Sequence, residues 1–247
     1  MSLLNYTLRI ADSSLILAQR ISGWCSKGPT LEEDIALSNI ALDLFGQANG
    51  FLEYASKLDG NKTPDQLAFN RNEREFFNLQ ITEQENGNFA DTIVRQFFFS
   101  TYSFLFYTEL SKSTDETLSA LSVKSLKEVK YHLQHSKSWM LRLGDGTEES
   151  KQKTQAALQY FWQFTGELFE MDEVDMEMSK SGIGVGNSEL KTNWDKMVNE
   201  VIDQSTLERP VDAYMQTGSK KGLHTEYLGH LLSEMQYLPR AYPNAKW

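Results

Sequence analysis

The chain has 247 residues, with 24 Lys and Arg against 34 Asp and Glu, and a formal net charge of −10. This acidic balance argues against a general nucleic-acid-binding protein, which usually carries a basic domain. A hydrophobic fraction of 40% argues against a disordered chain. The single cysteine, Cys25, excludes an intramolecular disulfide and argues against a cysteine-based metal site. We expect Cys25 to be buried beside Trp24.

The first twenty residues do not read as a secretory signal, because Asp12-Ser13-Ser14 interrupts their apolar run. The richest apolar stretches, at 97–99 and 102–107, are far shorter than the ~20 residues needed to span a bilayer. We therefore expect a soluble, cytoplasmic protein with no membrane or nucleic-acid partner.

The spacing of apolar residues predicts helices from the start of the chain. Apolar residues recur every three or four positions from Leu4 to Ala18, and again from Leu37 to Leu58. The second segment is also apolar off this stripe, so we expect a central helix rather than a surface one. Its additional apolar residues are Ile35, Ile40, Leu42, Phe45 and Leu52.

The rest of the chain continues the helical pattern. A third long helix is predicted from the N-cap Asn88, with Asp91 in a capping-box position, to about Ser111. The other predicted helical segments are a short irregular one from Pro64 to Glu83, a fourth long helix from Leu118 to Leu143, a fifth from Glu149 to Met178, and shorter helices over Leu190–Val201 and Leu223–Leu238.

No segment shows convincing strand alternation, tandem repetition or a linker composition. The pattern predicts one all-α domain over residues 1–247, built as a bundle of four long helices with additional packed helices. Such bundles often hold metals or ligands between facing helices.

A di-iron carboxylate site in a bundle needs a Glu-x-x-His motif on each of two helices, because that spacing puts both side chains on one face. The four histidines are His132, His135, His224 and His230. None has Glu or Asp three residues before it. The standard ligand set is therefore absent from this sequence.

Polar residues nevertheless occur inside the predicted helices. Asp43 lies in the second helix, Asp91 begins the third, and Glu128 and His132 lie on the fourth. They could form a polar network at the middle of the bundle, which is costly unless fully paired. Each also has an ordinary interpretation, as an interior hydrogen-bonded carboxylate, a helix cap, or an i, i+4 pair.

Two charged segments are candidate contact surfaces. Lys220 and Lys221 lie between glycines just before a helix, where they could meet a phosphate-bearing ligand or an acidic partner. Six acidic residues without a base lie between Glu167 and Glu177, as a solvated face or a docking surface.

Three separated segments carry a resemblance to a known family. Residues 86–93, 127–133 and 220–226 resemble the C-subunit family of the bacterial phenylacetyl-CoA epoxidases, and the similarity runs from Tyr6 to Trp247. The resemblance implies a ferritin-like bundle within a multicomponent monooxygenase of phenylacetate degradation. That enzyme uses O2 and NADPH through a reductase subunit, and its A subunit holds the di-iron centre.

The resemblance also implies that this chain binds no cofactor, is not catalytic by itself, and scaffolds the A subunit as a heterodimer that assembles further with other epoxidase subunits. Asp43 with Gly46, and Glu128 with Tyr131, then resemble degenerate ligand pairs, and Asp91 resembles a third carboxylate position. The implied vestigial positions are Asp43, Gly46, Asp91, Glu128, Tyr131 and His132. The candidate contacts to a partner or to CoA are Lys220, Lys221, His224 and Glu226.

Two other functions remain open from the sequence. One is an independently active di-iron or di-manganese ferritin-like oxidase with atypical ligands, drawn from Asp43, Asp91, Glu128, His132 and His135. The other is a helical adaptor for another CoA-linked enzyme, with contacts through Lys220 and Lys221 and through the acidic segment 167–177.

Overall fold

The computed structural model describes residues 1–186, 189–243 and 245, so Trp247, where the resemblance ends, lies outside it. Every regular element in this described part is helical, which confirms the all-α prediction. The α-helices are α1 Ser2–Ser22, α2 Leu31–Asp59, α3 Pro64–Phe69, α4 Gln80–Glu83, α5 Phe89–Leu110, α6 Glu116–Gly144, α7 Glu148–Trp162, α8 Glu173–Lys180, α9 Leu190–Gln204, α10 Glu226–Met235 and α11 Tyr237–Ala241. Short 3₁₀ helices cover Glu73–Glu75, Gly166–Phe169 and Ser219–Lys221.

The contacts divide the chain into two compact units. The first unit comprises residues 1–85 and 218–247, and the second comprises residues 86–217. The expectation of one domain over the whole chain therefore stays a prediction.

In the first unit, α1 packs along α2, and α3, α4 and α10 attach to this pair. Thr30 caps the start of α2 with its side chain, and Gly60 ends the helix in the left-handed conformation. The predicted stripes of both helices are buried, including Ala11 and Leu15 on α1 and Leu37 and Leu44 on α2. The helical periodicity therefore located this packing correctly.

The expectation that α2 is a central helix rather than a surface one is wrong for one of its sides. Leu31, Ile35 and Leu42 are 73%, 53% and 66% exposed. Ile40 and Leu52, which also lie off the main stripe, are buried. Packing within the chain thus covers only part of this apolar helix.

In the second unit, α5 packs against α6, α7 and α9. The predicted start of α5 is confirmed: the Asn88 side chain accepts from the amides of Ala90 and Asp91, and the Asp91 carboxylate accepts from the Asn88 amide at 2.8 Å. An aromatic cluster fills the core, where the ring centroid of Phe98 lies 5.6 Å from that of Trp162 and 5.5 Å from that of Trp194.

The predicted fifth helix, from Glu149 to Met178, is wrong in extent. It ends at Trp162, and a new helix, α8, starts at Glu173. Asp172 caps the new helix: its side chain accepts from the Val174 and Asp175 amides in a capping box with Asp175. The acidic segment is not a uniformly solvated face either, since Glu167 and Asp175 are buried.

Two smaller expectations also need correction. The last predicted helix, over Leu223–Leu238, begins only at Glu226, because Gly222 is in the left-handed conformation and Thr225 is extended. Cys25 is exposed rather than buried.

Candidate functional site

The residues at 220–226, singled out by the sequence, close over a buried connector at 76–84 in the first unit. The His224 side chain is fully buried between two acceptors. Its Nδ1 lies 2.8 Å from Glu83 Oε2, and its Nε2 lies 2.8 Å from the Phe76 carbonyl oxygen. Both ring nitrogens lie within hydrogen-bond distance of an oxygen, so the ring bridges the Glu83 carboxyl group and the Phe76 carbonyl group.

Glu83 is the centre of this cluster. Its Oε1 accepts from the Thr225 amide at 2.6 Å and from the Thr225 hydroxyl at 2.8 Å. Its Oε2 accepts from Asn78 Nδ2 at 2.8 Å as well as from the His224 ring. These donors give both oxygens of the buried Glu83 side chain hydrogen-bond partners, which offsets the cost of removing the group from water.

Arg20, near the end of α1, fastens the same connector from another side. Its Nε donates to the Glu83 carbonyl oxygen at 2.8 Å, and its Nη2 donates to the Tyr227 carbonyl oxygen at 2.8 Å. Burial lowers the pKa of the Arg20 guanidinium, against the opposing effect of the nearby Glu85 and Glu83 carboxylates.

A second buried ion pair lies beneath the connector. Asp12 on α1 and Arg71 pair through two bonds, one of them 3.0 Å long. The same Asp12 carboxylate accepts from the Phe77 amide at 2.9 Å, and Arg71 donates to the Glu75 carbonyl oxygen at 2.8 Å. The Arg71 guanidinium also lies 4.2 Å from the ring centre of Phe76.

These charged side chains share one role, which is to form hydrogen bonds with buried main-chain groups. The only regular helix in residues 76–84 is the one-turn helix α4, yet most of these residues are buried. Buried irregular backbone cannot use water, so its polar groups need partners from side chains. Asp12, Arg20 and His224 supply them at Phe77, Glu83 and Phe76, and Arg71 bonds the adjoining Glu75 carbonyl group. The arrangement is a structural clamp whose donors and acceptors hold the main chain.

The other predicted contact residues divide by exposure. Lys221 and Glu226 are exposed and Lys220 is half-buried, whereas the His224 ring is unavailable to a partner. Gly222 is required here: its φ is +68°, and a Cβ at this position would lie 2.2 Å from the Arg74 carbonyl oxygen. The lysine loop therefore has a fixed backbone with its charges at the surface.

The predicted vestigial positions fall on both units. In the first unit, Asp43 is half-buried and Gly46 is exposed, with open space where a Cβ would lie. In the second unit, Asp91 completes the helix cap of α5.

On α6, Glu128 is half-buried, Tyr131 is exposed and His132 is buried. The Tyr131 ring lies near two imidazoles, with centroid distances of 6.3 Å to His132 and 6.1 Å to His135. His132 continues a narrow buried stripe along α6. Three serines, Ser122, Ser125 and Ser136, lie in this stripe, and its remaining members are Leu118, Val129, Met140 and Gly144.

Within the described residues, no group of three or more His, Cys, Asp or Glu side chains could hold a metal ion. The residues that the sequence offered as ligands thus do not fit a di-iron or di-manganese centre. Nor does any helix in this part of the chain reach the length and hydrophobicity that crossing a bilayer requires.

Sequence reasoning missed the charged residues that matter most in the first unit. Asp12, Arg71 and Glu83 were not selected as candidates. A signal existed for Asp12, because Asp12-Ser13-Ser14 interrupts the apolar run of α1. Its partner comes from a turn 59 residues later, which helical periodicity does not predict.

Fold and site together define an all-helical protein with a charged structural clamp and, among its described residues, no assembled metal ligands. Residues 1–247 match the phenylacetic acid catabolic protein family, and the chain belongs to that family. It is 49% identical over 242 residues to the C subunit of the 1,2-phenylacetyl-CoA epoxidase of Escherichia coli strain K12, a match that covers 98% of each chain. The resemblance found in the sequence is confirmed.

Proposed function

We propose that this chain is the C subunit of a phenylacetyl-CoA epoxidase in phenylacetate catabolism, and that it scaffolds a catalytic di-iron A subunit without catalysing the reaction itself. The observation that carries the proposal is the 49% identity, over 98% of both chains, to a protein named as the C subunit of that enzyme. Iron, O2 and reducing equivalents from NADPH are then handled by other subunits.

The site supports a scaffolding role in two ways. No Glu-x-x-His motif occurs in the sequence, and the described residues assemble no metal-ligand cluster. The most elaborate charged cluster that we find makes hydrogen bonds to the main chain of a buried connector, at Phe76, Phe77 and Glu83. Such a network rigidifies a fold when all its members are paired.

A ferritin-like bundle is part of the proposal. The four longest helices, α1, α2, α5 and α6, contain 21, 29, 22 and 29 residues. Asp43, Asp91, Glu128, Tyr131 and His132 are then degenerate ligand positions that kept polar side chains after the metal was lost. Gly46 fits an interior ligand position least, because it is exposed.

The experiment is reconstitution of the epoxidase from its separate subunits. We expect NADPH oxidation that depends on phenylacetyl-CoA and O2 to require this chain, and we expect the purified chain to hold far less than one iron after iron loading. Full turnover without the chain would contradict the scaffolding role. Stoichiometric iron in the isolated chain would support the independent oxidase instead.

Variants at the degenerate positions separate the two functions further. Asp43→Ala and Glu128→Ala should lower the yield of assembled complex and leave turnover per assembled complex unchanged. Intact assembly with abolished turnover would show that these carboxylates act in catalysis.

A further inference from the structure

The exposed side of α2 carries an apolar seam that packing within the chain leaves uncovered. Leu31, Ile35 and Leu42 are exposed large apolar residues on one helix. With partly exposed Ser38 and Phe45, their spacing alternates between four and three residues. This 3.5-residue repeat is the pattern by which one helix packs along another.

Beside the seam lies a glycine, Gly46, that no contact within this chain requires. Gly46 lies in the interior of α2, where glycine is unfavourable relative to alanine. A Cβ at this position would meet nothing within 4 Å, so neither packing nor backbone strain in the free chain requires glycine. A missing side chain beside an apolar seam is suited to close approach by the backbone of another helix.

The charge of α2 indicates which kind of partner helix can pack against the exposed seam. From Leu31 to Ser56, α2 contains no Lys, Arg or His. Its exposed or half-buried acidic residues are Glu32, Asp34, Asp43 and Glu53, and Glu33 is buried. A second copy of this chain packing through the same face would place acidic residues against acidic residues, and like charges facing each other across an interface are unfavourable. The complementary helix has an apolar stripe flanked by lysine or arginine.

We propose that the exposed seam of α2, centred on Leu42 and Gly46, is a docking surface for a basic-flanked apolar helix of the catalytic subunit. This inference rests on the proposed function, which supplies a different polypeptide as the partner. The seam is distinct from the lysine loop at 220–221, which has the opposite charge.

The test measures binding of the purified full-length chain to the purified catalytic subunit by calorimetry. Leu42→Glu should raise the dissociation constant by at least ~30-fold, the effect typical of a residue at the centre of an interface. The matched control is Val123→Glu, which changes an equally apolar, exposed residue of α6 in the second unit. This control should leave the dissociation constant unchanged. Equal effects of the two variants would overturn the docking surface.

Gly46→Ala provides a readout that a folding defect cannot imitate. Because the position is open and helical, alanine should raise the urea midpoint of the free chain. The same methyl group should weaken binding roughly tenfold if a partner backbone packs closely against it. A more stable variant that binds as tightly as the wild type would contradict close helix packing at Gly46.

Sedimentation of the chain alone tests the choice of partner. We expect a monomer at concentrations at which the catalytic subunit binds. A wild-type homodimer that Leu42→Glu dissociates would overturn the assignment to a different subunit. If the wild type does not bind the catalytic subunit at all, the proposed function fails; if it binds and Leu42→Glu binds equally well, only the docking surface fails.

Discussion

The connector at 76–84 in the first unit and the core around Phe98 in the second satisfy their buried backbone by different means. In the first unit, Asp12 lies against Arg71 and Glu83 against His224, and Asp12, Arg20 and His224 bond the main chain at 76–84. In the second unit, the core around Phe98 is an aromatic cluster between regular helices, whose backbone groups bond within the helices. Regular helices satisfy their own backbone groups and need only apolar packing, whereas a buried irregular segment needs charged or polar side chains as hydrogen-bond partners.

The largest effect is expected at Asp12. Asp12→Ala leaves Arg71 buried without a carboxylate and removes the acceptor of the Phe77 amide. Loss of one partner of a buried ion pair costs about 3–5 kcal/mol in the free energy of unfolding. Urea denaturation measures this loss, and hydrogen exchange of peptides covering 70–85 locates it.

Asp203→Ala is the matched control, because Asp203 is exposed near the end of α9. It should leave the urea midpoint unchanged. The double variant Asp12→Ala/Arg71→Ala sharpens the interpretation. If each side chain is needed only to neutralise the charge of the other, removing both should restore the free energy of unfolding. We expect little recovery, because the Phe77 amide and the Glu75 carbonyl group lose their partners in either case.

A smaller loss is expected at Glu83. Glu83→Gln keeps the shape of the side chain but replaces one of its two oxygens with an NH2 donor, so the Thr225 amide and hydroxyl or the Asn78 and His224 side chains lose their acceptor. Hydrogen bonds to a charged group contribute about 1.5–3 kcal/mol each, and we expect a loss of that size in urea denaturation.

Glu226→Gln makes the same chemical change two residues after His224 on an exposed side chain. It should not change the urea midpoint. If Glu83→Gln behaves like this control, the carboxylate charge is not needed and the clamp depends on shape alone.

The sequence predicted helices correctly where a single local signal, such as apolar periodicity or a capping box, determined the structure. The apolar periodicity located α1, α2, α5 and α6, and the Asn88–Asp91 capping box fixed the start of α5. The prediction of one fifth helix failed at Asp172. The six acidic residues of this segment were interpreted as one helix face, whereas Asp172 caps the start of a new helix. The exposure of Leu42 was also missed, since hydrophobicity cannot separate a buried side from one left uncovered.

The site was predicted less well than the fold. The motif at 220–226 was found, but its histidine was assigned to a partner contact, whereas its ring is buried against Glu83. The two partners are 141 positions apart in the chain, which is beyond any local pattern. Buried pairs such as Asp12 with Arg71 arise from tertiary packing, so a single sequence shows only the unusual position of one member.

The smallest effect is expected in the aromatic core of the second unit, and it tests the other half of the comparison. Phe98 is fully buried, with Trp162 and Trp194 beside its ring. Phe98→Leu keeps an apolar side chain and strands no polar group, so its cost is the lost apolar contact alone, about 1–2 kcal/mol in urea denaturation. Tyr214→Leu, on an exposed side chain, should not change the midpoint. If Phe98→Leu costs as much as Asp12→Ala, aromatic packing is as demanding as paired charge, and the two units do not differ in what holds them together.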